Sequence, residues 1–118
     1  KLLKPLGFCD YIRLQCDSKL VLSDSGTITE ESSIMNFSAL NLREAQERPE
    51  GFEEGSVMFT GMEIDQILQA IYILEDQESG DLRTINIVSD YIPTNVSDKV
   101  VRIISSYTDY VNKFIWKK

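Results

Sequence analysis

Leu20-Val21-Leu22-Ser23-Asp24-Ser25-Gly26-Thr27-Ile28-Thr29-Glu30-Glu31-Ser32-Ser33-Ile34-Met35 is the stretch on which the reading of this chain turns. A compact apolar strand, Leu20 to Ser23, runs into a turn made of helix-capping residues. Ile28 to Met35 then reads as a helix, with Glu30 and Glu31 in its first turn, where the macrodipole favours acids. In α/β sheets ligands sit at the carboxyl ends of the strands, and a Ser-Gly-Thr turn there aims free backbone N–H groups outward from a helix N-terminus. That arrangement is a phosphate seat. Gly26 is expected to allow close backbone approach and a positive φ, and Ser25 and Thr27 to add hydroxyls. An ordinary N-cap turn is the plainer alternative.

Short apolar runs alternate with helical segments on either side, the pattern of an α/β domain on a parallel sheet. Asp10 to Gln15 reads as a short helix, and Ala39 to Leu42 and Val57 to Thr60 as further strands. A helix from Glu63 to Leu74 places Ile64, Ile67, Leu68, Ile71 and Leu74 on one stripe. Arg43 to Gly55 is charged, lacks a period and reads as a loop long enough to suspect of function. Arg43 and Arg48 fall just past a strand end, which brings them to the same sheet edge as Ser25-Gly26-Thr27; arginine suits two-point phosphate contact. A solvated loop of internal ion pairs is the alternative. A carboxylate at such an edge must serve something other than phosphate, such as a pair of ribose hydroxyls, unless Glu30 and Glu31 merely compensate the dipole. Residues 75–95 admit no assignment.

The last helix is expected from about Ser97 as its cap. Val100, Ile104, Tyr107, Val111 and Phe114 form one face, and Val101, Ile103, Tyr110, Ile115 and Trp116 a second. Either Trp116 caps the core of this domain, or the helix meets a neighbouring domain that the chain lacks.

Composition bounds the function. The chain has 118 residues, 42% hydrophobic and 26% charged, with 12 Lys+Arg against 19 Asp+Glu and a net charge of −7. One globular domain of this length buries roughly two-thirds of its unfolded surface and needs no metal or disulfide to fold. The acidic balance argues against nucleic-acid and anionic-membrane binding. No apolar run approaches the roughly 20 residues that span a bilayer, no signal peptide is visible, and a cytoplasmic location is the default. There is no histidine, so the commonest general base and metal ligand are absent. Cys9 and Cys16 are too few for a metal cluster and read as buried thiols. The chain opens on Lys1 without an initiator methionine, so a longer parent chain is expected.

At these residues the chain resembles the carboxyl-terminal part of the non-hydrolysing UDP-N-acetylglucosamine 2-epimerases. The resemblance rests on Pro5-Leu6-Gly7-Phe8 with Asp10-Tyr11, on Ser23 to Glu31, and on Glu47-Arg48-Pro49-Glu50-Gly51 followed by Gly55-Ser56 and Thr60-Gly61. Val96 to Ile104 and Ser106 to Val111 look like the tail of the branch that forms UDP-N-acetyl-L-fucosamine for capsule or O-antigen polysaccharide.

The resemblance implies a Rossmann-like parallel sheet flanked by helices, the C-terminal half of a GT-B-type two-domain enzyme, with residues 1–118 as its UDP-binding domain and the N-terminal domain missing. By that resemblance Ser25 and Gly26 hold the diphosphate through their backbone, with Thr27 beside them. Glu31 takes the ribose hydroxyls, Arg48 binds near the phosphates, and Leu6 and Tyr11 flank the uracil. The family commonly has a second glycine where Thr27 stands.

The implied reaction inverts C2 of a UDP-N-acetylhexosamine by elimination and re-addition of UDP, with no metal or redox cofactor. Its acid/base carboxylates and histidine map outside this chain, so no catalytic residue is assigned and the isolated piece is expected to be inactive. UDP-sugar, the missing domain and a second full-length copy are the expected partners. The nucleotide-binding half of a GT-B glycosyltransferase and a non-catalytic protein-interaction module are the alternatives.

Overall fold

In the computed structural model, residues 2–45, 47–78 and 80–118 are described; Lys1 of the opening, Gln46 of the charged loop and Ser79 of the unassigned stretch lie outside them. Strands β1 (Val21–Ser23), β2 (Ala39–Asn41) and β3 (Met58–Phe59) form one parallel sheet in the order β1-β2-β3. Val21, Leu22 and Ser23 pair with Ala39, Leu40 and Asn41, and Leu40 and Asn41 pair with Met58 and Phe59. Each crossover carries a helix: α2 (Ile28–Met35) joins β1 to β2, and α3 (Pro49–Glu53) joins β2 to β3. Helix α1 (Phe8–Asp17) precedes the sheet, α4 (Ile64–Asp76) follows it, and α5 (Val96–Tyr110) ends in a π-helical segment, Val111–Ile115. The fold is therefore the expected α/β, Rossmann-like sheet flanked by helices.

The core lies where α2 covers the sheet. Ile28, Phe37, Ala39 and Val57 form its buried cluster, with Val21 packed against it and Leu40 fully buried in the central strand. Helix α2 ends at Asn36, whose left-handed backbone (φ 59°) is tolerable for asparagine and turns the chain back toward β2.

Residues 75–95, which no sequence period organised, hold two 3₁₀ turns, Gly80–Leu82 and Ser89–Tyr91. Between them Arg83 inserts toward the end of α2. Its guanidinium donates to Ser56 O at 2.7 Å, Phe37 O at 3.3 Å and Ser32 O at 3.4 Å, and burial lowers its pKa from the ordinary arginine value. Val88 is buried, and its N–H donates to Ser33 Oγ at 2.9 Å. The stretch is thus held by polar anchors and one apolar plug.

Four expectations are corrected. The charged loop contains α3, announced by Pro49 at its first turn, where a missing N–H costs nothing. Cys9 and Cys16 are exposed, because Gln15 is the one residue that α1 buries. On α4 the buried residue is Ala70, while Ile64 and Leu68 of the predicted stripe stay exposed. Ser97 does not cap α5: the N-cap is Asn95, with no side-chain cap bond.

Of the two readings left open for Trp116, the structure excludes the first: it caps no core. It is 62% exposed, and every residue of α5 is exposed. With α5 projecting, the radius of gyration is 18.4 Å, against roughly 13.5 Å for a compact domain of this length. Both apolar faces of the helix read from the sequence are real, and both lie open.

Candidate functional site

Parallel pairing of three strands puts Ser23, Asn41 and Phe59 in one row, so the segments that leave them converge on one sheet edge. Asn41, 3% exposed, ties two of these segments together. Its Nδ2 donates to Ser25 O at 3.4 Å and its Oδ1 accepts the Arg43 N–H at 3.1 Å. A buried asparagine in a central strand is a signal that the sequence offered, since a buried amide needs partners.

In the turn itself, Ser25 Oγ accepts the Thr27 N–H at 3.3 Å and lies 2.9 Å from Thr27 Oγ1. Ser25 N–H donates back to Ser23 Oγ at 3.1 Å. Thr27 is the N-cap of α2 with ordinary helical dihedrals (φ −72°, ψ −12°), so a Cβ there is no obstacle. Its hydroxyl donates to Glu31 Oε1 at 2.8 Å instead of capping the backbone. Gly26 does not adopt the positive φ expected of it: Gly55, Gly61 and Gly80 do. Its lack of a side chain serves close approach instead. A Cβ on Gly26 would sit 3.2 Å from Glu47 Oε2 and 3.3 Å from Arg43 Nη1.

Both arginines of the loop reach this edge. Arg43 forms a two-point pair with Glu47, Nη1 to Oε2 at 2.8 Å and Nη2 to Oε1 at 2.5 Å, which holds the Glu47 carboxyl below its ordinary pKa. Arg48 Nε donates to Glu30 Oε1 at 2.8 Å, and that bond raises the guanidinium pKa. Gly26, Thr29, Asn41, Arg43, Glu47 and Arg48 line one polar crevice. The arginines therefore sit at the Ser25-Gly26-Thr27 turn, and they carry intraloop and helix ion pairs there.

Glu31 lies on the other side of the turn. Its Oε2 accepts Gln15 Nε2 at 2.6 Å and lies 3.5 Å from Tyr11 Oη, at the limit of a hydrogen bond. Burial first, then the Glu31 charge, raises the Tyr11 pKa. Leu6 is exposed in the arm before α1. Sequence reasoning missed Gln15 and Asn41. Among the described residues no group of His, Cys, Asp and Glu has the arrangement to hold a metal ion, and no helix is long and apolar enough to cross a membrane.

The chain's likeness to known proteins agrees with this geometry. Residues 1–105 match the family described as UDP-N-acetylglucosamine 2-epimerase. The chain belongs to that family. It is similar to the solved UDP-N-acetylglucosamine 2-epimerase of Rickettsia bellii, at 44% identity and a TM-score of 0.91, covering 100% of this chain and 32% of that one. The Methanocaldococcus jannaschii enzyme, solved in complex with UDP-GlcNAc and UDP, superimposes with a TM-score of 0.71 at 25% identity, over 90% of this chain and 28% of that one. The Neisseria meningitidis enzyme is 30% identical over 103 residues, 87% of this chain and 28% of its own length. The chain thus spans about a third or less of the relatives it matches. The structural neighbours are GT-B folds, and the parallel sheet with its flanking helices is this chain's share of that architecture.

Proposed function

We propose that this chain is the C-terminal, UDP-binding domain of a UDP-N-acetylhexosamine 2-epimerase of the branch that supplies UDP-N-acetyl-L-fucosamine for surface polysaccharide. The observation that carries the reading is the convergence of Ser25, Gly26, Arg43 and Arg48 at the carboxyl edge of a parallel sheet, at the N-terminus of α2. Backbone N–H groups, a helix dipole and two guanidiniums in one place suit a diphosphate. Glu31, set apart from the arginines and held by Thr27 and Gln15, suits the ribose diol. Tyr11, one turn of α1 before the buried Gln15 and reaching toward Glu31, suits one face of the uracil, and Leu6 the other through its backbone.

In this mechanism the domain's work is to hold UDP while its bond to the sugar breaks and re-forms. Elimination takes the C2 proton to a base and leaves a glycal and UDP; re-addition returns the proton to the opposite face. UDP must stay bound between the two steps, and the charge that develops on its leaving oxygen is stabilised by preorganised donors. On this reading the acid/base groups lie in the N-terminal domain, and the open apolar faces of α5 are available to meet it. No metal or redox cofactor enters the scheme, and the enzyme works as a cytoplasmic homodimer.

The test is UDP titration by NMR and calorimetry on the intact protein, with product analysis on UDP-N-acetylhexosamines. Resonances of Ser25, Gly26 and Arg48 shift, Arg48→Ala and Glu31→Ala each weaken UDP about tenfold or more, and the product is a C2 epimer. Absence of any shift at those three residues overturns the site. A sugar transferred to an acceptor instead of epimerised assigns the fold to a glycosyltransferase.

A further inference from the structure

Helix α1 inverts the usual rule of burial. Its one buried residue is the amide Gln15, 4% exposed, while the adjacent Leu14 is 54% exposed. Burying a primary amide beside an exposed leucine costs free energy on both counts unless the amide is needed where it is.

Gln15 is held with care. Its backbone carbonyl accepts both the Ser18 hydroxyl, at 2.7 Å, and the Ser18 N–H, at 3.2 Å. Its Nε2 then donates to Glu31 Oε2 at 2.6 Å, while its Oε1 is buried with no hydrogen-bond partner. The contact with Glu31 fixes the orientation of the amide. Turning it over would place one acceptor against another at 2.6 Å, so Gln15 can only donate to the carboxylate. On the opposite side Thr27 Oγ1 donates to Glu31 Oε1 at 2.8 Å. The carboxylate is therefore gripped at both oxygens, and its plane is set by residues from two helices.

We propose that Gln15 is a positioning residue that fixes the Glu31 carboxylate in the orientation needed to accept both hydroxyls of a vicinal diol, and so sets the protein's preference for a ribonucleotide over a 2′-deoxyribonucleotide. The proposal rests on the reading of Glu31 as the ribose ligand. A carboxylate accepts two neighbouring hydroxyls together only if its plane is held; a freely rotating one accepts one well and the other poorly. The donor's grip on the buried side supplies that hold, and the orphaned oxygen is tolerated for it.

The test compares UDP with 2′-deoxy-UDP by calorimetry on the intact protein, in the parent, Glu31→Gln, Gln15→Met and Gln15→Leu. The parent binds UDP about tenfold or more tightly than the deoxy nucleotide, as expected for one charge-assisted hydrogen bond. Gln15→Met, which matches the volume and removes both the donor and the orphan, loses that preference through weaker UDP binding alone. Its affinity for 2′-deoxy-UDP and its thermal midpoint stay near the parent's. Gln15→Leu repeats the measurement in a second apolar background should the methionine variant fold poorly. A merely structural Gln15 gives the reverse: a lower midpoint with the preference intact, which overturns the proposal. If Glu31→Gln abolishes the preference and the Gln15 variants keep it, Gln15 alone is wrongly assigned. If the parent shows no preference, the reading of Glu31 falls and the proposal with it.

Discussion

The Glu47 carboxylate, clasped by Arg43 at 2.8 and 2.5 Å, lies against the backbone of Gly26. An internal anion thus occupies the side of the turn that the proposed function gives to the diphosphate. Ligand binding there requires Arg43 to exchange one anionic partner for another. Glu47→Gln removes the competitor and leaves Arg43 in place, so UDP binding tightens, by up to about fivefold if the pair has the strength of exposed ion pairs in general. Gly26→Ala does the opposite. The atoms its Cβ would meet are the ends of two flexible side chains and its φ is unstrained, so stability changes by less than about 1 kcal/mol. UDP affinity falls about tenfold, because the new methyl stands where phosphate must approach. Calorimetry with parallel denaturant melts separates the two effects.

Gly51 places α3 against α2. A Cβ there would collide with Thr29 Cγ2 and lie 3.2 Å from Ser56 Oγ. Gly51→Ala therefore forces the helices apart and destabilises the fold by about 1–3 kcal/mol, the usual range for overpacking. Thr29→Ser removes the clashing methyl, and the double variant recovers most of the loss. A urea double-mutant cycle reads the coupling; additive effects would show that the two sites do not touch.

Arg83 makes three hydrogen bonds, from two guanidinium nitrogens, to carbonyls near the end of α2 and just before β3. Arg83→Ala leaves those carbonyls short of donors and costs about 2 kcal/mol, as for hydrogen bonds to a charged group. Arg83→Lys recovers only part, because one ammonium cannot span three acceptors as a planar fork does. Hydrogen exchange should quicken first at Phe37 and Ser56 and reach the Ser25 turn last.

Tyr91 Oη donates to Glu50 Oε1 at 2.9 Å, and burial, followed by that bond, raises its pKa above the ordinary 10.0. The folded chain therefore keeps this proton at pH values where the unfolded chain has lost it. The unfolded state binds fewer protons in that window, so stability falls as pH rises beyond about 10. Tyr91→Phe removes this part of the alkaline slope. Denaturant melts at a series of alkaline pH values check the sign.

Sequence reading was most accurate where local chemistry decides the structure. Helix α2 spans the expected Ile28–Met35, and β1, β2 and β3 fall inside the expected runs, each trimmed by one or two residues. A strand, a capped turn and an acidic first helical turn are all signals carried within a few residues. Helix α3 escaped notice because five residues are too few to show a period, although Pro49 followed by Glu50 marks a helix start. The convergence of Arg43 and Arg48 on the Gly26 turn followed from topology, since segments leaving adjacent parallel strands at the same end must meet. Gln15 did not follow. It reads as one polar residue of a short helix until the docking of α1 against Glu31, sixteen residues away, is known.

The amino-acid sequence by itself determined the parallel α/β class, the phosphate-type turn and its family, because period, turn chemistry and ordered motifs are properties of neighbouring residues. Tertiary structure alone decided which charges pair. Arg43 could have faced Glu44, Glu47 or solvent, and Arg48 could have faced Glu30, Glu31 or Glu50. The choice was made by where β2 and α2 place their ends. It also decided that Arg83 plugs the end of α2 and that Gln15 goes inside while Leu14 stays out. Such contacts depend on how elements far apart in the chain are oriented, and side-chain pairing takes its energy from distances that no local pattern encodes.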